Sequence, residues 1–407
     1  MSILAVNVGS SSLKFALFPV RDDAIAPALV TGNIEGLEPS GQPRITLREL
    51  DGDKETLPVQ HHDEHDVFAA ALQALHDLIR ERFAHVQVQA IAHRIVHGGP
   101  LYKHSIAVTP QVMQALARFN PLAPLHQPHN LAGVQAFASS FEGVLQVACF
   151  DTAFHAHMPE LETTFAIDRS LTESGVRRYG FHGLSYQYVS EALQAVSPRS
   201  NERLIMAHLG NGASVCAAKG HQSRATSMGF SALDGLMMGT RCGALDPGVL
   251  LYLMEQGWDH ARIEKMLYKQ SGLLGVSGVS ADMRTLRASD AASARFATDL
   301  FAHRVAKEIA AQTASIGGLD VLAFTGGIGE HDVLLREQVC RDLTYLGLEI
   351  DTQANQSVTP GVSCAIQTAN SAIEIWVVPT DEEQVAARDA LQILRTGACV
   401  TIAPTAH

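Results

Sequence analysis

Apolar residues recur along this chain in two periods, and the change from one to the other divides it into elements. Leu204 to Val215, LIMAHLGNGASV, is an apolar run, a Gly210-Asn211-Gly212 turn and a second run of small apolar residues. That pattern predicts a β-hairpin with a turn of phosphate size. Two glycines free the backbone for positive φ and close approach, and the Asn211 amide adds a donor. The opening of the chain, Ile3 to Leu17, repeats the arrangement as ILAVNVGSSSLKFAL, with a Gly9-Ser10-Ser11-Ser12 turn and Lys14 on the returning strand. Either turn alone would be an ordinary chain reversal. The pair predicts a duplicated domain whose two loops face each other across a cleft and hold one polyphosphate.

Strand-like stretches near 28–34, 44–50 and 56–59 suggest an antiparallel meander. Val67 to Phe83 then places Val67, Leu72, Leu75, Leu78, Ile79 and Phe83 at helical spacing, with His65 and Asp66 ahead of the first turn. A strand at Val88–His93, a short helix from Pro110, a helix at Leu131–Phe141 and a strand at Val144–Phe150 complete an α/β pattern. The Gly175–Ser185 loop feeds a helix through Val196 ahead of the second hairpin. Thr226 to Gly248 is too rich in glycine for regular structure and too apolar for a solvated linker, so its backbone must be satisfied by itself or by a ligand. A long helix, Ala291–Ile316, and a strand, Asp320–Phe324, precede Thr325-Gly326-Gly327-Ile328-Gly329-Glu330 and a helix from about Val333. Glycines between a strand end and a helix start let a flat ring or a phosphate lie against backbone. A last strand at Ile373–Val378 leads to a helix at Asp381–Leu394, with Thr380 as its predicted N-cap and Glu383 as its third residue. Residues beyond Arg395 are expected to fray.

A chain of 407 residues exceeds one comfortable core, so two domains are expected, and the turn to Gly, His and Arg after Phe150 puts the crossing there. The net charge of −12 speaks against nucleic acid or an anionic membrane surface as partner. Any phosphate site must then be built locally from Lys, Arg and backbone amides. The six cysteines, Cys149, Cys216, Cys242, Cys340, Cys364 and Cys399, form no CxxC pair and suggest a reducing cytoplasm. With no signal-peptide pattern and no apolar run of membrane length, the protein is expected to be soluble and unexported.

Ten stretches resemble the acetate kinase family, in family order. They are NVGSSSLKF (Asn7–Phe15), HRIVHGG (His93–Gly99), PLAPLH (Pro121–His126), FDTAFH (Phe150–His155), RYGFHGLSY (Arg178–Tyr186), HLGNGAS (His208–Ser214), TSMGF, GLMMGTRCG ending at Gly243, FTGGIGE (Phe324–Glu330) and PTDEE (Pro379–Glu383). The resemblance implies an α/β protein of two duplicated ribonuclease-H-like domains around a nucleotide cleft, the actin-like ATPase fold. Residues 1–150 plus 382–407 would form the N-terminal domain with a returning helix, and 151–381 the domain carrying the nucleotide site. The implied chemistry is reversible phosphoryl transfer between ATP and acetate, giving acetyl phosphate and ADP, with Mg2+ or Mn2+ and with propionate also accepted, in a cytoplasmic homodimer.

The same resemblance assigns residues. Arg94 and Arg241 bind the carboxylate and the transferring phosphoryl, which suits a planar, always-charged guanidinium. Arg241 lies inside the glycine-rich apolar stretch, where an unpaired charge is costly and a buried anion is the better account. His182 stabilises the transition state, His126 contacts the phosphoryl, and Asp151 matches the family's proton donor or acceptor; a carboxylate nucleophile needs no deprotonation, so Asp151 is expected to orient Mg2+ water or Arg241. Asn7 and Glu382 are the magnesium pair, although an acidic residue in a helix's first turn is favoured whatever its function. Lys14, His208, Leu209, Gly210, Asn211 and Gly212 hold the phosphates. Asp282, Met283 and Arg284, with Gly326, Gly327, Ile328, Gly329 and Glu330, surround the adenosine. Val96, Leu125, Phe181 and Ala232 line the acyl pocket. His93 and His97, four apart, lack the Glu and third ligand of a zinc site and read as structural.

Two positions depart from the family pattern: Ala232, where proline is usual, and Ala244, where aspartate is usual beside Arg241. The first touches the acyl pocket, so a propionate or butyrate kinase is the near rival. The distant rival is an actin-like or chaperone-like ATPase, which would not need Arg94, His126 and Arg241 together.

Overall fold

The computed structural model describes the chain except Ser10, 39–40, Asp51, 60–66, Leu125 and 398–407. Ser10 in the first turn, His65 and Asp66 before the first helix, Leu125 in the acyl pocket, Cys399 and most of the terminal tail therefore lie outside the described residues. The chain divides into two compact units, Met1–Ala153 with the segment from Asp381, and Phe154–Thr380.

The first unit contains β1 (Ser2–Val8), β2 (Ser12–Arg21), β3 (Ala24–Ile25), β4 (Val30–Glu35), β5 (Arg44–Glu49), β6 (Lys54–Pro58), β7 (Val88–Ile95), β8 (Ile106–Ala107) and β9 (Leu145–Phe150). They form one sheet in the order β6-β5-β4-β2-β1-β7-β9-β8, with β3 against β2. β1 and β2 make the predicted hairpin, which sets Asn7 opposite Lys14, and β7 runs parallel to both β1 and β9. β1 is buried along almost its whole length because helices cover both faces. Leu4, Val6 and Val8 pack with residues of the helices Val67–Arg82 and Gln127–Ser140. The returning helix Glu382–Thr396 lies against β1 and β7 from the other side.

The second unit contains β10 (Leu204–Leu209), β11 (Ala213–Lys219), β12 (Gln222–Thr226), β13 (Val321–Thr325), β14 (Cys364–Ala365) and β15 (Glu374–Val377), in the order β12-β11-β10-β13-β15-β14. β10 and β11 form the second hairpin, and β13 runs parallel to both β10 and β15. The run β12-β11-β10-β13-β15 repeats β4-β2-β1-β7-β9 in order and in strand sense. The duplication expected from the two hairpins is thus present in the sheets. The long helix is Ala292–Ile316, burying Ala294, Ala297, Phe301, Val305 and Ile309 at helical spacing.

Four local expectations are corrected. Gly210 and Gly212 do not adopt positive φ. The glycine segment is not an open loop, since Gly326–His331 is already a helix, entered through Gly326 at φ 76°. Asp381, not Thr380, caps the last helix: its Oδ1 accepts from the Gln384 amide at 2.8 Å, while the Thr380 amide donates to Glu330. Asp151 to Ala153 belong to the first unit, because the Asp151 amide bonds Ile95 O at 3.0 Å and its side chain is held by Arg94. The irregular stretch after β12 is held partly by its own backbone, Met238 donating to Arg241 O and Ala244 to Gly235 O, and partly by neighbouring segments, Gly239 donating to Asn211 O and Cys242 to Leu267 O.

Candidate active site

Parallel strands end together, so residues at their C-terminal ends converge. In the first unit Arg94 sits near the end of β7 and Asp151 directly follows β9. Arg94 donates through Nε and Nη2 to the two Asp151 oxygens, each at 2.8 Å, and its Nη1 lies 2.7 Å from Glu382 Oε2. The arginine that Asp151 orients is therefore Arg94. Burial works against the Arg94 charge, but Asp151, Glu382 and Glu383 outweigh it and push its pKa up. Glu383 and Asp381 are pushed up in turn, both first by burial and then, among the charges, by Glu382. Asp151, Asp381, Glu382 and Glu383 stand here against Arg94, Lys14 and Arg388, and among the described residues no three His, Cys, Asp or Glu side chains come together as a metal site.

His126 precedes the helix Gln127–Ser140, and Asn130 in that helix accepts from the Val96 amide and donates to Val8 O. His93 and His97 are buried and engaged locally: His93 Nε2 donates to Gln146 Oε1 at 2.7 Å, and His97 Nδ1 accepts from the Gly99 amide at 2.8 Å.

In the second unit the Gly210–Gly212 turn is closed by Gly210 N donating to Gly212 O at 2.9 Å. A Cβ on Gly212 would stand 3.0 Å from Arg241 Nη2 and 3.2 Å from His182 Nε2. Glycine is required there for close approach, and the two groups converge on the turn. His182 has left-handed backbone, φ 58°, at the start of the helix Gly183–Gln194. Such a conformation is unfavourable for a residue with a side chain and marks a constrained site. The ring of His182 stacks on His208, with centroids 4.2 Å apart, and its Nδ1 meets Ser214 Oγ at 2.9 Å. Buried His155 donates from Nε2 to Phe181 O and accepts at Nδ1 from Ser223, which fixes the loop carrying His182.

Arg241 Nη1 donates to Ala232 O at 2.5 Å, and among the described residues no carboxylate pairs with Arg241. Burial pushes its pKa down. A half-buried guanidinium without a counter-ion is costly, and an anion is what relieves it. Ala244 is exposed and donates its amide to Gly235, so the hold on Arg241 comes from the Ala232 carbonyl and not from position 244.

The sequence profile of the Acetokinase family matches residues 2–388. The chain belongs to the acetokinase family. It is 45% identical over 403 residues to an acetate kinase of Rhodopseudomonas palustris, covering 97% of this chain and 99% of that one. The crystal structure of Porphyromonas gingivalis acetate kinase matches with a TM-score of 0.86 at 37% identity, covering 97% of this chain and 99% of that one. A propionate kinase from Francisella tularensis matches with a TM-score of 0.88 at 36% identity, covering 96% and 99%.

The remaining loops of this acetokinase come together through β10 and β13. A Cβ on Gly326 would meet the Leu209 backbone at 2.8 Å, and the Gly327 amide lies 4.0 Å from the corresponding point on Gly210. Gly239 packs between Asn211 and Ala281, which draws Asp282 to the same side. Asp282 caps the helix Met283–Arg287, accepting from the Arg284 and Thr285 amides and pairing with Arg284 at 2.7 Å. The Arg284 bond and those amides hold its carboxyl down at about 2. The Glu330 carboxylate accepts from Gly326 N and Thr380 N. Asp282 and Glu330 thus spend their carboxylate oxygens on holding these loops in shape. Tyr186, Ser185, Ser214 and His155 escaped the sequence reading, although the matched motifs contain all four. Ser185 and Tyr186 fall on the first turn after His182, and Ser214 sits two residues past Gly212.

Proposed function

We propose that this acetokinase transfers the γ-phosphoryl of ATP reversibly to acetate, giving acetyl phosphate and ADP. The observation that carries the reading is Arg241, a half-buried guanidinium that among the described residues has no carboxylate partner, beside His182 on a glycine turn. Phosphoryl transfer asks for in-line placement and spread positive charge rather than covalent chemistry by the protein. Acetate is ionised near neutral pH, so its attack needs no general base. Arg241 and His182 Nε2 donate to the oxygens of the transferring group, and Arg94 and His126, by the family resemblance, serve the carboxylate and phosphoryl. Lys14 and the His208–Gly212 segment hold the phosphates, while Asp282–Arg284 and Gly326–Glu330 shape the adenosine loops. Asn7 and Glu382 would hold Mg2+, or Mn2+, through water, and the ion would neutralise phosphate charge. Among the described residues no helix is long and apolar enough to cross a membrane.

Hydroxylamine trapping of acyl phosphate, with ATP, Mg2+ and a panel of short carboxylates, tests the reading. Acetate is expected to give the strongest signal and propionate the next; no acyl hydroxamate from any acid would leave an ATPase of the actin or chaperone kind. The same assay tests Ala232. Its carbonyl holds Arg241, and among the described residues its own amide has no acceptor, so proline fits without loss of a hydrogen bond. A methyl in place of a proline ring leaves room for one more carbon, worth ~0.8 kcal/mol or roughly fourfold in specificity. Ala232→Pro is expected to lower the propionate-to-acetate ratio of kcat/KM by about that factor; an unchanged ratio removes residue 232 from the acyl pocket.

We also propose that the enzyme is a homodimer. The helix Pro247–Glu255, PGVLLYLME, buries none of its residues, and Leu251 is 63% exposed beside Tyr252 and Met254. An apolar helix face left uncovered marks an interaction surface, and a second copy of this chain is its occupant. Sedimentation should give twice 43.7 kDa for the wild type and 43.7 kDa for the double variant Leu251→Glu, Tyr252→Glu. A variant that stays dimeric would place the interface elsewhere.

A further inference from the structure

Within the second unit, Tyr186 is fully buried, and its hydroxyl meets Ser214 Oγ at 2.5 Å. Ser214, also fully buried, meets His182 Nδ1 at 2.9 Å. The three groups form a chain from the protein interior to the ring edge that faces Arg241 and the Gly212 turn. The direction of that chain is decided by the phenol. Among the described residues the phenol proton has one acceptor in reach, Ser214 Oγ. Ser214 then has its own proton to give to His182 Nδ1. If Nδ1 carried the proton instead, Ser214 Oγ would accept from both Tyr186 and His182, and among the described residues its own proton would be left without an acceptor in a fully buried place.

We infer that Tyr186 and Ser214 are positioning residues that fix His182 as the neutral tautomer with its proton on Nε2, aimed at the transferring phosphoryl group. The inference rests on the reading of His182 as a donor to that group and adds how the donor is held. Around the ring stand Arg241 from the irregular stretch, His208 on β10, Ser214 on β11 and Tyr186 on its own helix. Behind Tyr186 lie His155, Cys216 and Glu308. The acceptor role that Ser214 imposes on Nδ1 leaves Nε2 as the ring's donor, so a neutral ring with a fixed proton is the form this hydrogen-bond chain selects. A fixed donor costs no reorganisation as charge develops, whereas an imidazole free to change tautomer presents a lone pair to the anion part of the time.

The test combines kinetics with nitrogen chemical shifts of histidine-labelled protein, His182 being assigned by its loss in His182→Ala. In the wild type the shifts should place the proton on Nε2. Tyr186→Phe keeps the ring volume and removes the hydroxyl. It should lower kcat about tenfold, leave KM for ATP and acetate within twofold, and shift His182 toward a mixture of tautomers. Ser214→Ala should do the same, and it carries both readouts if Tyr186→Phe does not fold. In the His182→Ala background, Tyr186→Phe should cost nothing further in kcat. Should His182→Ala itself keep kcat within twofold of wild type, the donor reading of His182 fails, and the shifts still decide the tautomer. A proton on Nδ1 in the wild type overturns the relay. So does a Tyr186→Phe kcat within twofold of wild type alongside a crippled His182→Ala.

Discussion

Arg241→Ala is expected to lower turnover by two decades or more while ATP binding stays nearly unchanged. The guanidinium lies against the Gly212 turn beside His182, and its partner is a neutral carbonyl, that of Ala232. Its charge is thus available for an anion. A charge-assisted hydrogen bond made chiefly in the transition state is worth ~3 kcal/mol or more, which is a factor above a hundred. The adenosine loops are built on other residues, Asp282 with its helix and Gly326 to Glu330, so nucleotide affinity should survive. Stability separates this role from a structural one. Burial opposes the Arg241 charge, and no carboxylate is left unpaired when it is removed, so the alanine variant should melt no lower than the wild type. Arg241→Lys keeps a charge but not the fork, and should fall between the two. Near wild-type turnover in Arg241→Ala would remove it from the transfer chemistry.

Acidification from pH 7 to 4 should cost this protein on the order of 10 kcal/mol of stability through three histidines alone. Burial lowers the pKa of His93, His97 and His155 from 6.5 to about 4. Above pH 6.5 both folded and unfolded forms are neutral and the stability is complete. Between 6.5 and 4 the unfolded chain binds protons that the folded chain refuses, so stability falls with pH until it levels near 4. Each histidine contributes on the order of 3 kcal/mol over that window. The geometry explains the refusal, since His155 Nδ1 and His97 Nδ1 are acceptors, of Ser223 and the Gly99 amide respectively. Glu330, Glu383 and Asp381 act in the opposite sense, because burial raises their pKa and the folded state takes those protons first. Urea midpoints measured from pH 7.5 to 4.5, with His155→Asn as comparison, separate the two. The variant should lose one proton from the pH dependence; an unchanged dependence would mean that His155 is not held neutral.

The elements were legible wherever periodicity ran long. The two hairpins, the meander and the helices Val67–Arg82 and Ala292–Ile316 follow from alternation and from apolar residues three and four apart. Two-residue strands such as β3 and β8 offer too few positions for any period. The last helix was legible, but its cap was misplaced: Thr380 and Asp381 are both capping residue types, and the choice fell to Glu330, fifty residues away, which takes the Thr380 amide. Of the two reasons for the turn glycines, close approach held at Gly212 and positive φ did not. Their backbone is ordinary, and the constraint on Gly212 is the nearness of Arg241 and His182.

Sequence by itself determined the strand and helix order, the duplication of the hairpin unit, and the residue types for handling an anion, because each depends on neighbours along the chain. Tertiary structure alone decided which carboxylate holds which arginine, that Arg94 is matched by Asp151 and Glu382 while Arg241 is met by a carbonyl, and that Tyr186 reaches His182 through Ser214. The physical reason is distance. A hydrogen bond or an ion pair forms over about 3 Å between groups that parallel strand ends bring together from far apart in the chain, and no local pattern encodes which two will meet.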